Sequence, residues 1–247
     1  MLSIYDIAIY LGLYQLGWWL YRTVCLVLRT LSGTSCTTAR YGRDSWAVVT
    51  GATGTMGKAI CHHLAREGFN LVLISKTQDK LDKLSKELQE LSKVKSGKPI
   101  QTKAIVHDLV KESKPEDFEK LYKEKLASLD ISVLIHNAST GNQPGSFLET
   151  NEDSIHETMT VNTYPTVLLT QQVITGMKKR YSEKKVPSLI IHTSSITGLV
   201  PTPFAAVFSA TKIFGDFMAL GLQYELAQYK IDVCTWRMGE IAKDPKE

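Results

Sequence analysis

The sequence predicts an α/β protein built on a doubly wound parallel sheet, preceded by an apolar N-terminal helix. Three observations predict it: six short apolar runs, longer amphipathic stretches between them, and a glycine-rich turn directly after the first run. Strands buried on both faces are nearly unbroken apolar runs, and strands that alternate with helical patterns call for a parallel sheet.

The N-terminus stands apart from this pattern. Ile7 to Leu28 carries one charge, Arg22, and is rich in aromatic residues (Tyr10, Tyr14, Trp18, Trp19, Tyr21). A spanning helix needs about 20 apolar residues, and Tyr and Trp suit the headgroup boundary. Residues 1–31 are therefore expected to form a membrane anchor. An amphipathic helix lying on a membrane or packed on a partner protein is the alternative, and a removed targeting segment a further one. Arg22, Arg29, Arg40 and Arg43 follow the segment and only Asp6 precedes it. A spanning segment would thus leave the globular part facing cytosol or matrix. Residues 32–45, rich in Ser, Thr and Gly, are expected to be a linker.

From residue 46 the strand candidates are Trp46–Thr50, Leu71–Ser75, Ala104–Asp108, Val133–Asn137, Leu189–Thr193 and Val233–Trp236. Between them Lys58–Glu67, Gln78–Leu91, Pro115–Leu126, Asp153–Arg180 and Ala210–Tyr229 are expected to be helical. In the second of these, Leu81, Leu84, Leu88 and Leu91 recur at helical spacing. The composition, 43% hydrophobic and 22% charged with a net charge of +4, is that of a globular domain. With no block of like charge, it offers no nucleic-acid arm. Cys25, Cys36, Cys61 and Cys234 lie far apart without a C-x-x-C pair, so neither a metal site nor a disulfide framework is expected.

After the first strand come Gly51, Ala52, Thr53, Gly54, Thr55, Met56 and Gly57, then a helix. Strand, glycine turn and helix in this order form a phosphate cradle: glycines admit the backbone to a pyrophosphate, and the helix N-terminus presents free N–H groups. A tight turn without a ligand is the alternative. Residues 46–247 are thus expected to be a Rossmann-type dinucleotide-binding domain. An NAD site wants an acid at the end of the second strand. Here stand Ser75 and Lys76, a hydroxyl and a cation suited to a 2′-phosphate, so NADP(H) is the expected cofactor.

Taken in order, the glycine turn, Ser75-Lys76, Asp108, His136–Ser139, Asn162, Ser194-Ser195 and Phe208–Lys212 resemble the short-chain dehydrogenases/reductases. The resemblance covers about residues 41 to 240. The branch is similar to the membrane-anchored hydroxysteroid dehydrogenases and very-long-chain ketoacyl reductases, which also carry a Tyr-Gly dipeptide, here Tyr41-Gly42, before the first strand. The resemblance implies that Ser195 holds a substrate carbonyl and that Lys212 grips the nicotinamide ribose. It also implies that Asn162 supports a proton-relay water, that Asp108 bonds the adenine, and that Asn137 and Ala138 lie along the cofactor. Taken singly, each has a structural alternative: a strand-end turn for the serines, a surface residue for Lys212, a core amide for Asn162.

Several positions depart from the family. Phe208 lies 13 residues after Ser195 and four before Lys212, at the place of the proton-donating tyrosine. Thr55 stands where a glycine is expected, and His136 and Ser139 replace an Asn and a Gly. Met238-Gly239 and Lys243 align with a Pro-Gly and a carboxamide-binding threonine, and the chain ends before the family's seventh strand. Three functions follow as expectations. The first is an NADP(H)-binding, catalytically impaired subunit of a membrane assembly, mitochondrial inner membrane or endoplasmic reticulum, with a partner on the open edge of the truncated sheet. The second is an active NADPH-dependent reductase of keto-steroids or 3-ketoacyl lipids. The third is a scaffold that no longer binds nucleotide.

Overall fold

In β1 (Trp46–Thr50), Ala47 and Val49 face one side of the sheet and Val48 the other, and all three are fully buried. That alternation places the strand at the centre of the fold. The computed structural model describes residues 3–31, 37–96, 98–141 and 145–239. Six strands form one parallel sheet in the order β3-β2-β1-β4-β5-β6. The others are β2 (Asn70–Ser75), β3 (Thr102–Val106), β4 (Ile131–His136), β5 (Ser188–Ser195) and β6 (Ile231–Met238).

Helices cover both faces. On one, α3 (Thr55–Glu67) and α4 (Gln78–Ser96) bring Ile60, Leu64, Leu81, Leu84 and Leu88 onto Val49, Leu71 and Leu73. On the other, α5 (Pro115–Leu121), α6 (Glu152–Lys184) and α7 (Ala206–Leu226) place Phe118, Leu169, Val173 and Ala219 against Val48, Val72 and Leu134. The strand order reverses between β1 and β4. In open α/β sheets, that switch point opens a crevice at the carboxyl ends of the strands.

The predicted elements are all present, with shifted ends. The third strand stops at Val106, so His107 and Asp108 lie beyond it, at the mouth of the crevice. The helix expected over 115–126 is α-helical only to Leu121 and continues as a wider π turn, Tyr122–Leu126. The linker expectation is corrected over 38–45. A short helix, α2 (Thr37–Tyr41), leads into the domain, and Thr38, Tyr41 and Ser45 are buried. Tyr41 Oη donates to Asp232 Oδ2 at 2.9 Å, and burial, then that carboxylate, push the phenol up to about 12. The buried Arg180 guanidinium ties the entry down, bonding the carbonyls of Tyr41, Val186 and Pro187 and the Asp130 carboxylate. Gly42, at φ +95°, leaves it room, since a Cβ there would stand 2.6 Å from Arg180 Nη2.

Residues 1–37 form a separate unit. Its helix α1 (Ile4–Leu31) is continuous over 28 residues. The spanning expectation does not hold: among the described residues no helix is long and apolar enough to cross a membrane. Tyrosine, tryptophan, Gln15 and Arg22 occupy positions that a spanning helix fills with aliphatic side chains. Leu11, Leu16, Trp19 and Leu20 are all exposed. Residues 32–36, within the expected linker, lie outside the described residues.

Candidate dinucleotide cleft

The crevice over β1 and β4 is a cleft of about 570 Å³. Its floor is the glycine turn. Gly51 has φ +64°, and a Cβ on it would stand 2.7 Å from Ala138 Cα. Gly57, in the first turn of α3, is tighter still, because a Cβ there would stand 2.1 Å from Gly51 O. Gly57 sets how closely α3 approaches the turn, and Gly51 how closely the turn approaches the chain after β4. Gly54 differs: its Cβ position is open apart from Gly51 O at 3.6 Å, and its backbone faces the cleft. Gly54 caps α3 in an extended conformation without a side-chain acceptor. The first-turn N–H groups, which a helix leaves without internal acceptors, therefore open onto the cleft beside Thr53, Thr55 and Met56. Thr55, at the position of an expected glycine, is exposed.

Thr50, which the sequence reading missed, locks the turn to the neighbouring strand. Its Oγ1 accepts the N–H groups of Asn137 and Ala138 at 3.0 and 3.1 Å. The Asn137 amide answers by donating to the carbonyls of Thr50 and Gly51, each at 3.1 Å. The hydroxyls of Ser75 and Thr53 share a hydrogen bond of 2.6 Å, and Lys76 follows, exposed, at the cleft's edge. Asp108 Oδ1 accepts from Val110 N at 3.1 Å and turns the chain at this end of the cleft. His107 was also missed. It lines the cleft, buried, with its ring edge against Phe118 and its Nε2 without a partner among the described residues.

At the opposite end Ser195, Phe208 and Lys212 converge on the cleft. Ser195 Oγ accepts from Thr197 N at 3.2 Å and from Thr197 Oγ1 at 3.0 Å, which leaves its own hydrogen to donate elsewhere. Lys212 is buried, its Nζ donating to Thr193 O at 3.2 Å and standing 5.3 Å from the Phe208 ring centroid. Burial pushes its amine down to about 8, against the opposing pull of Asp216. The Phe208 ring packs on Gly141, where a Cβ would stand 2.6 Å from Cδ2. This ring carries no hydrogen-bonding atom.

Asn162 is the sequence-predicted residue that does not reach the cleft. Its Oδ1 accepts from Thr140 N at 2.9 Å, and its Nδ2 donates to Thr140 O and Thr211 Oγ1 at 2.8 and 2.9 Å. The amide is used up in fixing β4's loop to α6 and α7, so the structural alternative describes it. Met238 and Gly239 line the cleft, whereas Lys243 lies outside the described residues.

Fold and cleft together define the class, a doubly wound α/β domain with a cleft at the switch point of its parallel sheet. Within it, the chain belongs to the short-chain dehydrogenase family, whose model, described as short chain dehydrogenase, matches residues 45–245. It is 40% identical over 192 residues to a very-long-chain 3-oxoacyl-CoA reductase of Aspergillus terreus, covering 77% of this chain and 51% of that one. A protein of the same name from Schizosaccharomyces pombe is 38% identical over 191 residues, covering 76% and 54%. The chain thus spans about half the length of these relatives. Among solved structures, a bulky-bulky ketone specific alcohol dehydrogenase from Comamonas testosteroni shares 27% identity at a TM-score of 0.66, over 79% of this chain and 72% of that one. A short-chain dehydrogenase from Sphingobium yanoikuyae in complex with NADPH shares 25% at 0.64, over 79% and 71%.

Proposed function

We propose that the chain binds NADP(H) in this cleft but is impaired in carbonyl reduction, serving as an accessory, membrane-associated member of its family. The observation that carries the reading is Phe208: Lys212 meets a phenyl ring where a proton donor is required. The residues fit the cofactor. The helix N-terminus and open Gly54 backbone suit a pyrophosphate, Ser75 and Lys76 a 2′-phosphate, and Lys212 a ribose hydroxyl. NADP(H), when bound, supplies the hydride; the protein must supply the proton, and general acid catalysis contributes about 10²–10⁴-fold. The test is NADPH oxidation with 3-oxoacyl-CoA thioesters and keto-steroids, expected at background. Turnover at an ordinary reductase rate would remove the reading.

A second reading, an active 3-oxoacyl-CoA reductase, is favoured by the names of the relatives. It requires a different proton donor, and Ser195, with both acceptor positions engaged by Thr197, offers its O–H to the cleft. A Ser195→Ala variant that abolished a measurable native activity would support it.

For cofactor choice, Lys76→Asp is expected to reverse the preference from NADPH to NADH. A charge-assisted hydrogen bond contributes about 1.5–3 kcal/mol, so NADPH affinity should drop by about tenfold or more. Equal NADPH affinity in both proteins, by titration calorimetry, would rule out a 2′-phosphate contact at Lys76.

Membrane association rests on α1, whose exposed aromatic and aliphatic side chains suit the headgroup boundary or a partner helix. The full chain is expected to pellet with membranes, and a chain lacking residues 3–31 to stay in the supernatant; pelleting of both would remove the role of α1.

A further inference from the structure

Beneath the cleft lies a set of buried charges that the phosphate cradle does not use. Lys212 and Asp216 sit one turn apart on the same face of α7, exposed to only 4% and 5%. Asp216 Oδ2 accepts from Arg237 Nε of β6 at 2.8 Å. Its Oδ1 is buried without a hydrogen-bond partner among the described residues. On the β5 side the ring of His192 abuts the helix at Gly215, where a Cβ would stand 2.0 Å from Nε2. Burial, reinforced by Lys212, pushes His192 down to about 4. Its neighbour across the β4–β5 register, His136, is pushed to about 3, mainly by burial. Both rings are therefore neutral near pH 7. Glu157 of α6 reaches the cleft but is solvated. Among the described residues, the remaining charges around Lys212 are Asp216 and, beyond it, Arg237.

A buried ammonium without an anion loses its proton, because burial penalises the charged form. Among the described residues, Lys212 Nζ has only the Thr193 carbonyl as a hydrogen-bond acceptor. We propose that Asp216 is a positioning residue of the cleft: its buried carboxylate keeps the Lys212 ammonium charged and available to the dinucleotide, and Arg237 moderates that carboxylate from the outer side. The dinucleotide role rests on the function proposed above; the charge coupling does not.

The test reads Lys212 directly. In the full chain labelled with 13C at lysine Cε, the Lys212 signal is assigned by its loss in Lys212→Met and followed against pH. The native midpoint is expected at about 8. In Asp216→Asn it should fall by about 1 pH unit, the lower end of what a nearby opposite charge confers. In Arg237→Gln, which keeps the carboxylate and removes its competing cation, it should rise. A bridge that is merely structural moves both midpoints the same way or neither, and either result overturns the proposal. Should Asp216→Asn not fold, Arg237→Gln carries the test, a midpoint that stays or falls counting against the proposal. NADPH titrations on the same proteins separate the two claims. At pH 6, with Lys212 charged in both, native and Asp216→Asn should bind alike. By pH 9 the variant should bind about tenfold more weakly, since one pH unit of displacement changes the charged fraction about tenfold. Equal binding at pH 9 overturns the positioning role. Absence of NADPH binding in every protein, with the midpoints moving as stated, counts against the dinucleotide reading alone.

Discussion

Phe208→Tyr is expected to raise NADPH-dependent ketone reduction from background by about tenfold, well short of the 10²–10⁴-fold that a fully positioned acid contributes. The ring already occupies the required place, half-buried against Gly141 and facing Lys212 Nζ at 5.3 Å from its centroid. A hydroxyl on that ring would meet a cation, and a nearby positive charge lowers a phenol's pKa. Recovery stops short because the rest of the site differs from the family pattern at Met238, and displacement of a reacting group by about 1 Å costs about 10²-fold. The measurement is NADPH oxidation with 3-oxoacyl-CoA thioesters, native against variant. No gain at all would mean that Phe208 does not stand at the reacting carbonyl. A gain to full reductase rates would mean that this ring is the single lesion.

The second large effect is expected at Gly57. In Gly57→Ala the new methyl would meet Gly51 O at 2.1 Å and the Ala52 backbone at 2.9 Å. These are backbone atoms with no rotamer to yield, so α3 must lift from β1. Overpacking of this kind costs about 1–3 kcal/mol, or about 2–4 °C of melting temperature per kcal/mol in a domain of this size. NADPH binding should be lost with it, because the helix N-terminus moves. Gly54→Ala is the informative companion. Its φ is −75° and its Cβ position is open, so the melting temperature should hold while NADPH affinity falls. A Gly54→Ala protein that binds NADPH as tightly as native would show that no phosphate approaches that backbone. Thermal unfolding and calorimetry on the two variants separate a packing glycine from a binding one.

The sheet was legible because its strands are buried on both faces and leave no polar position to break the apolar run. The ends were less so. The third strand ends two residues before the expected bound: His107 still donates its N–H to Ser75 O of β2 at 3.0 Å, but Asp108 is held by contacts of its own turn, accepting from Val110 N. Residues 38–45 resembled a linker in composition, yet Ser45 and Tyr41 are buried by partners about 90 and 190 positions away in the chain, Ser132 and Asp232. Nothing local announces such partners.

The amino-acid sequence alone determined the strand and helix order, the glycine turn, the family spacing of Ser195 and Lys212, and the missing hydroxyl at Phe208. These are periodicities and identities, which a chain carries without folding. The tertiary structure decided that the Asn162 amide is committed to Thr140 and Thr211 and that Thr50 locks the turn. It also brought His192, Asp216 and Arg237 together around Lys212. Whether a polar side chain is free or spent, and whether a charge is balanced, depends on neighbours distant in the chain and on exclusion from water, and only the packed fold supplies both.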